Sequence, residues 1–173
     1  MPVFRLNHAV LYVRDAERSA QFYGDMLGFR RLPLPFPGAA FLQAEGSTND
    51  HDLGLFSIGE GAADSPAGRQ AVGLYHLAWE VDTLTDLAEI GAKLSAAGAL
   101  VGATDHGTTK ALYGKDPDGI EFEISWLVPA DLITEDIEMT SQRLDLDKEM
   151  ERFGAVTLGG IGVSRVRPME SSR

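Results

Sequence analysis

Two stretches of the chain alternate apolar and polar positions in nearly the same way. "LNHAVLYV" (6–13) and "LYHLAWEV" (74–81) share Leu, His and Val at matching places, with His8 and His76 in one register. A period of two is that of a strand with one apolar face. Each stretch then gives way to a helical segment. "DAERSAQFYGDMLG" offers Asp15 as N-cap and Gly28 as closing glycine; "TLTDLAEIGAKLSAAG" offers Thr83 as cap, Asp86 three residues on and Gly98 at the end. Short strand-like runs follow: "FRRLPLPF", "AAFLQAE" and "HDLGLFSI" in the first half, then "ALVGAT", "TKALYGKD" and "IEFEISW" in the second. Each half therefore predicts β-α-β-β-β, with the Gly/Ala-rich "GEGAADSPAGRQAVG" (59–73) as the linker.

Half-modules of this size cannot each bury a sheet alone, so the pattern predicts that they pair about a pseudo-twofold. The expected fold class is α+β: two paired βαβββ modules forming an open barrel-like cleft. The expected domain covers 1–128, with modules at about 3–58 and 73–128, followed by a partly helical C-terminal extension over 129–173. In that extension "ADLITEDIEMTSQRLDLDKEMERF" reads as helical, with its continuity left open. "GGIGVSRVRPMESSR" lacks the spacing of a phosphate loop and reads as an interaction arm or a disordered end.

The last strand of the second module is unusual. In "ALYGKDPDGIEFEISW" (111–126), Asp116-Pro117-Asp118-Gly119 suits a type I turn followed by a glycine at positive φ. Beyond it Ile120, Phe122 and Ile124 alternate with Glu121, Glu123 and Ser125. Two carboxylates on one face suggest that this face lines something polar. Alternation alone does not choose between them.

Composition narrows the chemistry. An apolar fraction of 44% with mixed charge excludes disorder for the body of the 173-residue chain. The absence of cysteine excludes disulfides, thiolate catalysis and cysteine-ligated metals. A formal charge of −11 opposes nucleic-acid binding. No run approaches the roughly 18 apolar residues of a membrane helix, and "MPVFRLN" has no signal-peptide core, so a cytoplasmic protein without membrane partners is expected.

The four histidines are His8, His51, His76 and His106. A pseudo-twofold would bring the equivalent His8 and His76 to opposite walls of one cleft, where a carboxylate from the final strand completes the set. Two imidazoles and one carboxylate form the facial triad of non-haem Fe(II) oxygenases; Mn(II) and other divalent ions fit the same ligands less distinctively.

Over about residues 3 to 128 the chain resembles the vicinal oxygen chelate superfamily, and within it the type I extradiol (catechol 2,3-) dioxygenases. The resemblance rests on "NHAVLYVRD", "FYGDMLGF", "GLYHLAWEV" and, most specifically, "DHGTTKALYGKDPDGIEFEISW". The family places its ligand glutamate seven residues after the Asp of Asp-Pro-x-Gly, which implies Glu123 as the metal ligand beside His8 and His76, with Glu121 a neighbouring rim acid. It also implies catalytic roles for His51, in "HDLG", and for His106 and Tyr113. The chain departs from the family at Ile120, where many members carry Asn, which is expected to alter the hydrogen bonding of the turn.

As the resemblance implies, a small catechol-type diol and O2 are the substrates, and they meet at a mononuclear Fe(II). Tyr113 and His106 would hydrogen-bond the substrate oxygens. His51 would serve as acid–base catalyst, and the ring would open beside the hydroxylated carbons. Glyoxalase-type isomerases need a fourth ligand on the last strand of the first half, where "HDLGLFSI" has no Glu and Asp52 lies at the edge. Fosfomycin-modifying relatives share the three ligands but do not need the set of His51, His106 and Tyr113. Bleomycin-binding members lack the ligands altogether. The pocket is expected to draw on "RLPLPFPGAA" and the 59–73 loop, and the extension, with no evident catalytic use, suggests a homodimer.

Overall fold

Helix caps and strand periodicity set the architecture of the computed structural model, which describes residues 3, 5–135 and 137–160. The chain divides into two units. Unit 1 comprises residues 1–73 with 116–120, and unit 2 comprises 74–115 with 121–173.

Unit 1 runs β1 (Ala9–Val13), α1 (Ala16–Leu27), β2 (Arg30–Arg31), β3 (Ala39–Gln43) and β4 (Leu53–Ser57). The Asp15 carboxylate accepts from the N–H groups of Glu17 and Arg18, and Gly28 ends α1 at φ 75°, so both expected caps are in place. The sheet order is β1-β4-β3-β2, with β1 and β4 parallel and the other pairs antiparallel. Leu11, Val13, Ala40, Leu42, Leu53 and Leu55 form the buried face, on the side of Ala16, Ala20 and Tyr23 of α1. The opposite face carries Val10, Tyr12, Phe41 and Phe56 and is less covered. "FRRLPLPF" yields only the two residues of β2, because Pro33 and Pro35 cannot donate to a ladder.

The turn that joins the last two strands of the second module belongs to unit 1. Asp116 Oδ1 accepts from the N–H groups of Asp118 and Ile120, both at 2.9 Å, and Gly119 sits at φ 81°. Ile120 thus joins the turn through its backbone. Asp118 is gripped by α1 and its approach: Arg14 donates through N–H at 3.1 Å and Nη1 at 3.0 Å, and Arg18 through Nη2 at 3.0 Å. The Tyr23 hydroxyl donates to Asp116 Oδ2 at 3.2 Å.

Unit 2 repeats the order with β5 (Leu77–Glu80), α2 (Leu84–Ala96), β6 (Leu100–Asp105), β7 (Thr109–Lys115) and β8 (Glu121–Leu127). Thr83 and Asp86 form the expected reciprocal capping box, and Gly98 follows the helix at φ 67°. Leu112, Phe122, Ile124 and Trp126 are buried on the side of α2.

The extension does not form one long helix. It makes a 3₁₀ turn (Ala130–Leu132), then β9 (Gln142–Arg143), which pairs with Thr104 and Asp105 of β6, then α3 (Leu146–Phe153) capped by Asp145. The sheet order is β5-β8-β7-β6-β9. Trp126 Nε1 donates to the Thr157 carbonyl at 3.1 Å, so the extension closes over the back of β8. Residues 161–173, most of the segment read as an arm or disordered end, lie outside the described residues. Among the described residues no helix is long and apolar enough to cross a membrane.

Candidate functional site

His8 and His76 each lie just before a strand rather than inside it, and the ladder registers confirm their equivalence. Two residues after His8, Val10 pairs with Gly54 of β4; two residues after His76, Ala78 pairs with Glu123 of β8. Gly54 is therefore the counterpart of Glu123. A Cβ there would sit 3.4 Å from Val10 Cγ2 and 3.6 Å from Phe41 Cε1, ordinary van der Waals contact, so this position lacks an acid because glycine stands there. Asp52, the other acid of that region, is buried. It accepts from Ala44 N–H at 2.8 Å, Ser47 Oγ at 2.7 Å and Asn49 Nδ2 at 2.7 Å, which commits both of its oxygens to holding the loop before β4.

Unit 1 brings His8 and His51 together, with ring centroids 4.4 Å apart. The edge-on ring of Phe41, at 5.2 Å from His51, holds that imidazole in place. His8 Nδ1 is 2.7 Å from Asn7 Oδ1, and since an amide oxygen only accepts, Nδ1 carries the proton and leaves Nε2 free to donate its lone pair. His51 Nδ1 lies 3.3 Å from Asp50 Oδ2.

Unit 2 brings together His76, Glu123, Tyr113 and His106. His76 Nε2 is 3.2 Å from Glu123 Oε2, with the glutamate side chain 12% exposed. Tyr113 is the direct cross-strand partner of Glu123. Burial, and then the negative charge of Glu123, pushes its phenol up to about 12, so it stays protonated at any ordinary pH. Its hydroxyl is 2.9 Å from His106 Nε2. Glu121 has a different partner, Lys115, whose Nζ lies 3.5 Å from Oε1 across the hairpin. The Nδ1 atom of His76 is buried without a hydrogen-bond partner among the described residues. Among those residues no three His, Asp or Glu side chains cluster as a metal-binding group.

Three contributors escape a reading of sequence. Tyr75 stacks obliquely on His76 at 4.5 Å; being adjacent in "LYH", it could have been suspected. Phe41 against His51 depends on the strand register. The carbonyl of Thr140, 3.1 Å from His106 Nδ1, is a backbone group that no side-chain pattern announces.

Residues 5–124 match the family described as Glyoxalase/Bleomycin resistance protein/Dioxygenase superfamily. The chain belongs to this superfamily. A curated relative within reach of it is the catechol-2,3-dioxygenase of Bacillus subtilis (strain 168), 31% identical over 153 residues that cover 86% of this chain and 52% of the relative. The chain thus spans about half the length of that protein. Among solved structures, a glyoxylase/bleomycin resistance protein/dioxygenase domain from Frankia sp. EAN1pec superposes with a TM-score of 0.60 at 23% identity, covering 72% of this chain and 92% of the other. A lactoylglutathione lyase from Agrobacterium tumefaciens gives 0.53 at 23% identity, over 72% and 95%. A fosfomycin resistance protein from Listeria monocytogenes gives 0.54 at 16%, over 72% and 93%. At such identities the structures establish the superfamily's fold, two mixed sheets with helices in an α+β arrangement.

Proposed function

We propose that this member of the superfamily is an extradiol dioxygenase that cleaves a small catechol-type diol with O2, using Fe(II) held by His8, His76 and Glu123. The observation that carries the reading is the pairing of His76 with Glu123, flanked by Tyr113 and His106. Donors about 2.1 Å from an ion on adjacent octahedral corners are roughly 3.0 Å apart. The 3.2 Å between His76 Nε2 and Glu123 Oε2 suits such a pair. His8 is the equivalent of His76 by ladder register. With Gly54 in the place of Glu123 and Asp52 engaged elsewhere, the donor set is two imidazoles and one acid, rather than the four ligands of a glyoxalase-type isomerase.

The iron, when bound, would supply a template for both substrates and a path for electrons. The chain's own groups would do the rest. Tyr113, kept neutral by its surroundings, would orient a substrate oxygen by hydrogen bonding, backed by His106. His51, steadied by Phe41, would take a proton from the diol and return it later in the reaction. Cytoplasmic location and assembly as a homodimer complete the proposal.

The deciding experiment is anaerobic reconstitution with Fe(II), followed by a panel of catechols in air. O2 uptake with a yellow ring-opened product is expected. Thiol-dependent turnover with Mn(II) and no oxygen uptake across the panel would replace this reading with that of a thiol transferase.

A further inference from the structure

Thr140 lies outside every helix and strand, yet its backbone meets His106 twice. The His106 Nδ1 atom is 3.1 Å from the Thr140 carbonyl oxygen, and the Thr140 N–H donates to the His106 carbonyl at 3.4 Å. On the other side of the ring, Nε2 is 2.9 Å from the Tyr113 hydroxyl. A carbonyl oxygen can only accept, so Nδ1 must carry a proton. In the neutral ring, Nε2 then accepts from Tyr113.

We propose that the segment around Thr140 is a positioning element of the site: its carbonyl fixes His106 as the Nδ1–H tautomer and leaves Nε2 as the one ring atom that gives or takes a proton. The partner of one imidazole nitrogen decides the role of the other. If the ring becomes charged, Nδ1 keeps its proton and its bond to the Thr140 carbonyl, and Nε2 donates as well. Thr140 does not touch substrate in this account; it acts through His106, and His106 acts through Tyr113.

The neighbouring chain is shaped for this contact. Gly107, next to His106, sits at φ 82°, and a Cβ there would lie 2.1 Å from the Glu138 carbonyl oxygen and 3.6 Å from Ile137 Cγ2. Only glycine lets the hairpin and the extension approach so closely. Asp105 Oδ1 accepts from Gly107 N–H at 2.8 Å and from Lys110 Nζ at 2.6 Å, which holds the hairpin from within. β9 then pairs with Thr104 and Asp105 immediately before the histidine. The charged and titratable groups around the ring are Tyr113 on β7, Glu123 beyond it on β8, and the Asp105–Lys110 pair.

For its chemistry the inference rests on the dioxygenase reading: with Nδ1 holding its proton against Thr140, Nε2 accepts from Tyr113, and the Tyr113 oxygen is left to accept from a substrate hydroxyl.

The test reads the ring directly and needs neither catechol nor oxygen. Full-length protein labelled with ¹⁵N in histidine is examined by NMR, and the His106 signals are assigned by their loss in His106→Gln. At a pH where the ring is neutral, a protonated Nδ1 and an unprotonated Nε2 are expected. A ring with its proton on Nε2 overturns the proposal, whether or not the protein cleaves catechols. Thr140→Ala keeps the carbonyl and should leave the tautomer in the spectrum unchanged. Gly107→Ala should push the extension away, give mixed tautomers and lower kcat by roughly 10-fold or more with iron content and KM nearly unchanged. An unaltered tautomer in a folded Gly107→Ala protein that has lost kcat would also overturn it. Should that variant fail to fold, the unmodified protein's spectrum decides alone.

Discussion

Glu123 faces an imidazole and Glu121 a lysine, so the two acids of β8 should answer differently to removal. Alanine at His8, His76 or Glu123 is expected to abolish iron binding after anaerobic reconstitution, whereas Glu121→Ala should retain it. Metal analysis of the purified variants checks this, and the opposite ranking of the two glutamates would transfer the ligand role. His51→Phe should keep its iron and lose about 10²–10⁴-fold in turnover, the usual contribution of a placed acid–base group. Tyr113→Phe should lose less, because it removes an orienting hydrogen bond. The equivalence of His8 and His76 was legible in the sequence because each stands at the same place in a matching segment, one residue before β1 and β5. The choice between Glu121 and Glu123 was not, since residues two apart share a face; only the pairing of Ala78 with Glu123 and of Lys115 with Glu121 separates them.

Elements were read well where local chemistry decides them and poorly where a distant segment does. Asp15, Thr83 and the two closing glycines announce α1 and α2 because caps are satisfied within a few residues. Lys110 is the opposite case. It sits on the core-facing side of β7, 1% exposed, with Nζ 2.6 Å from Asp105 Oδ1 and 2.8 Å from Glu149 Oε2 of α3. Nothing in "TKALYGKD" foretells a buried lysine, because Glu149, the second of its two partners, arrives 39 residues later in the sequence. Removing one member of such a group strands the others. Lys110→Met is expected to cost roughly 3–5 kcal/mol in urea denaturation at neutral pH. Neutralising the partners as well, in Lys110→Met with Asp105→Asn and Glu149→Gln, should restore much of that. The extension is thus spent on unit 2, so its removal after Val128 is expected to destabilise that unit.

For the molecule as a whole, two phenols set an alkaline limit. Burial, with Asp116 beside it, raises Tyr23 well above the usual tyrosine range, and burial with Glu123 beside it pushes Tyr113 up to about 12. Above about pH 10 the unfolded chain gives up protons that the folded chain keeps. The stabilisation is therefore complete below about pH 10 and is lost as pH climbs through the folded values. Denaturation midpoints measured between about pH 8 and 11 should fall at the upper end, less steeply in Tyr23→Phe. Sedimentation of the full chain is expected to give twice the 18.7 kDa chain mass, and a single-chain mass would remove the dimer.

The grip of Arg14 and Arg18 on Asp118 has a consequence for how the protein is made. Arg14 and its carboxylate partner are 104 residues apart in sequence, and Tyr23 and Asp116 are 93 apart. A ribosome releases α1 long before it has translated the acids that α1 will hold. Until then the first βαβββ segment lacks part of its own unit, so it should remain open to proteases during synthesis and become resistant once the Asp116–Gly119 turn emerges. Stalled nascent chains of increasing length should show that protection arriving as one late step rather than on completion of β4.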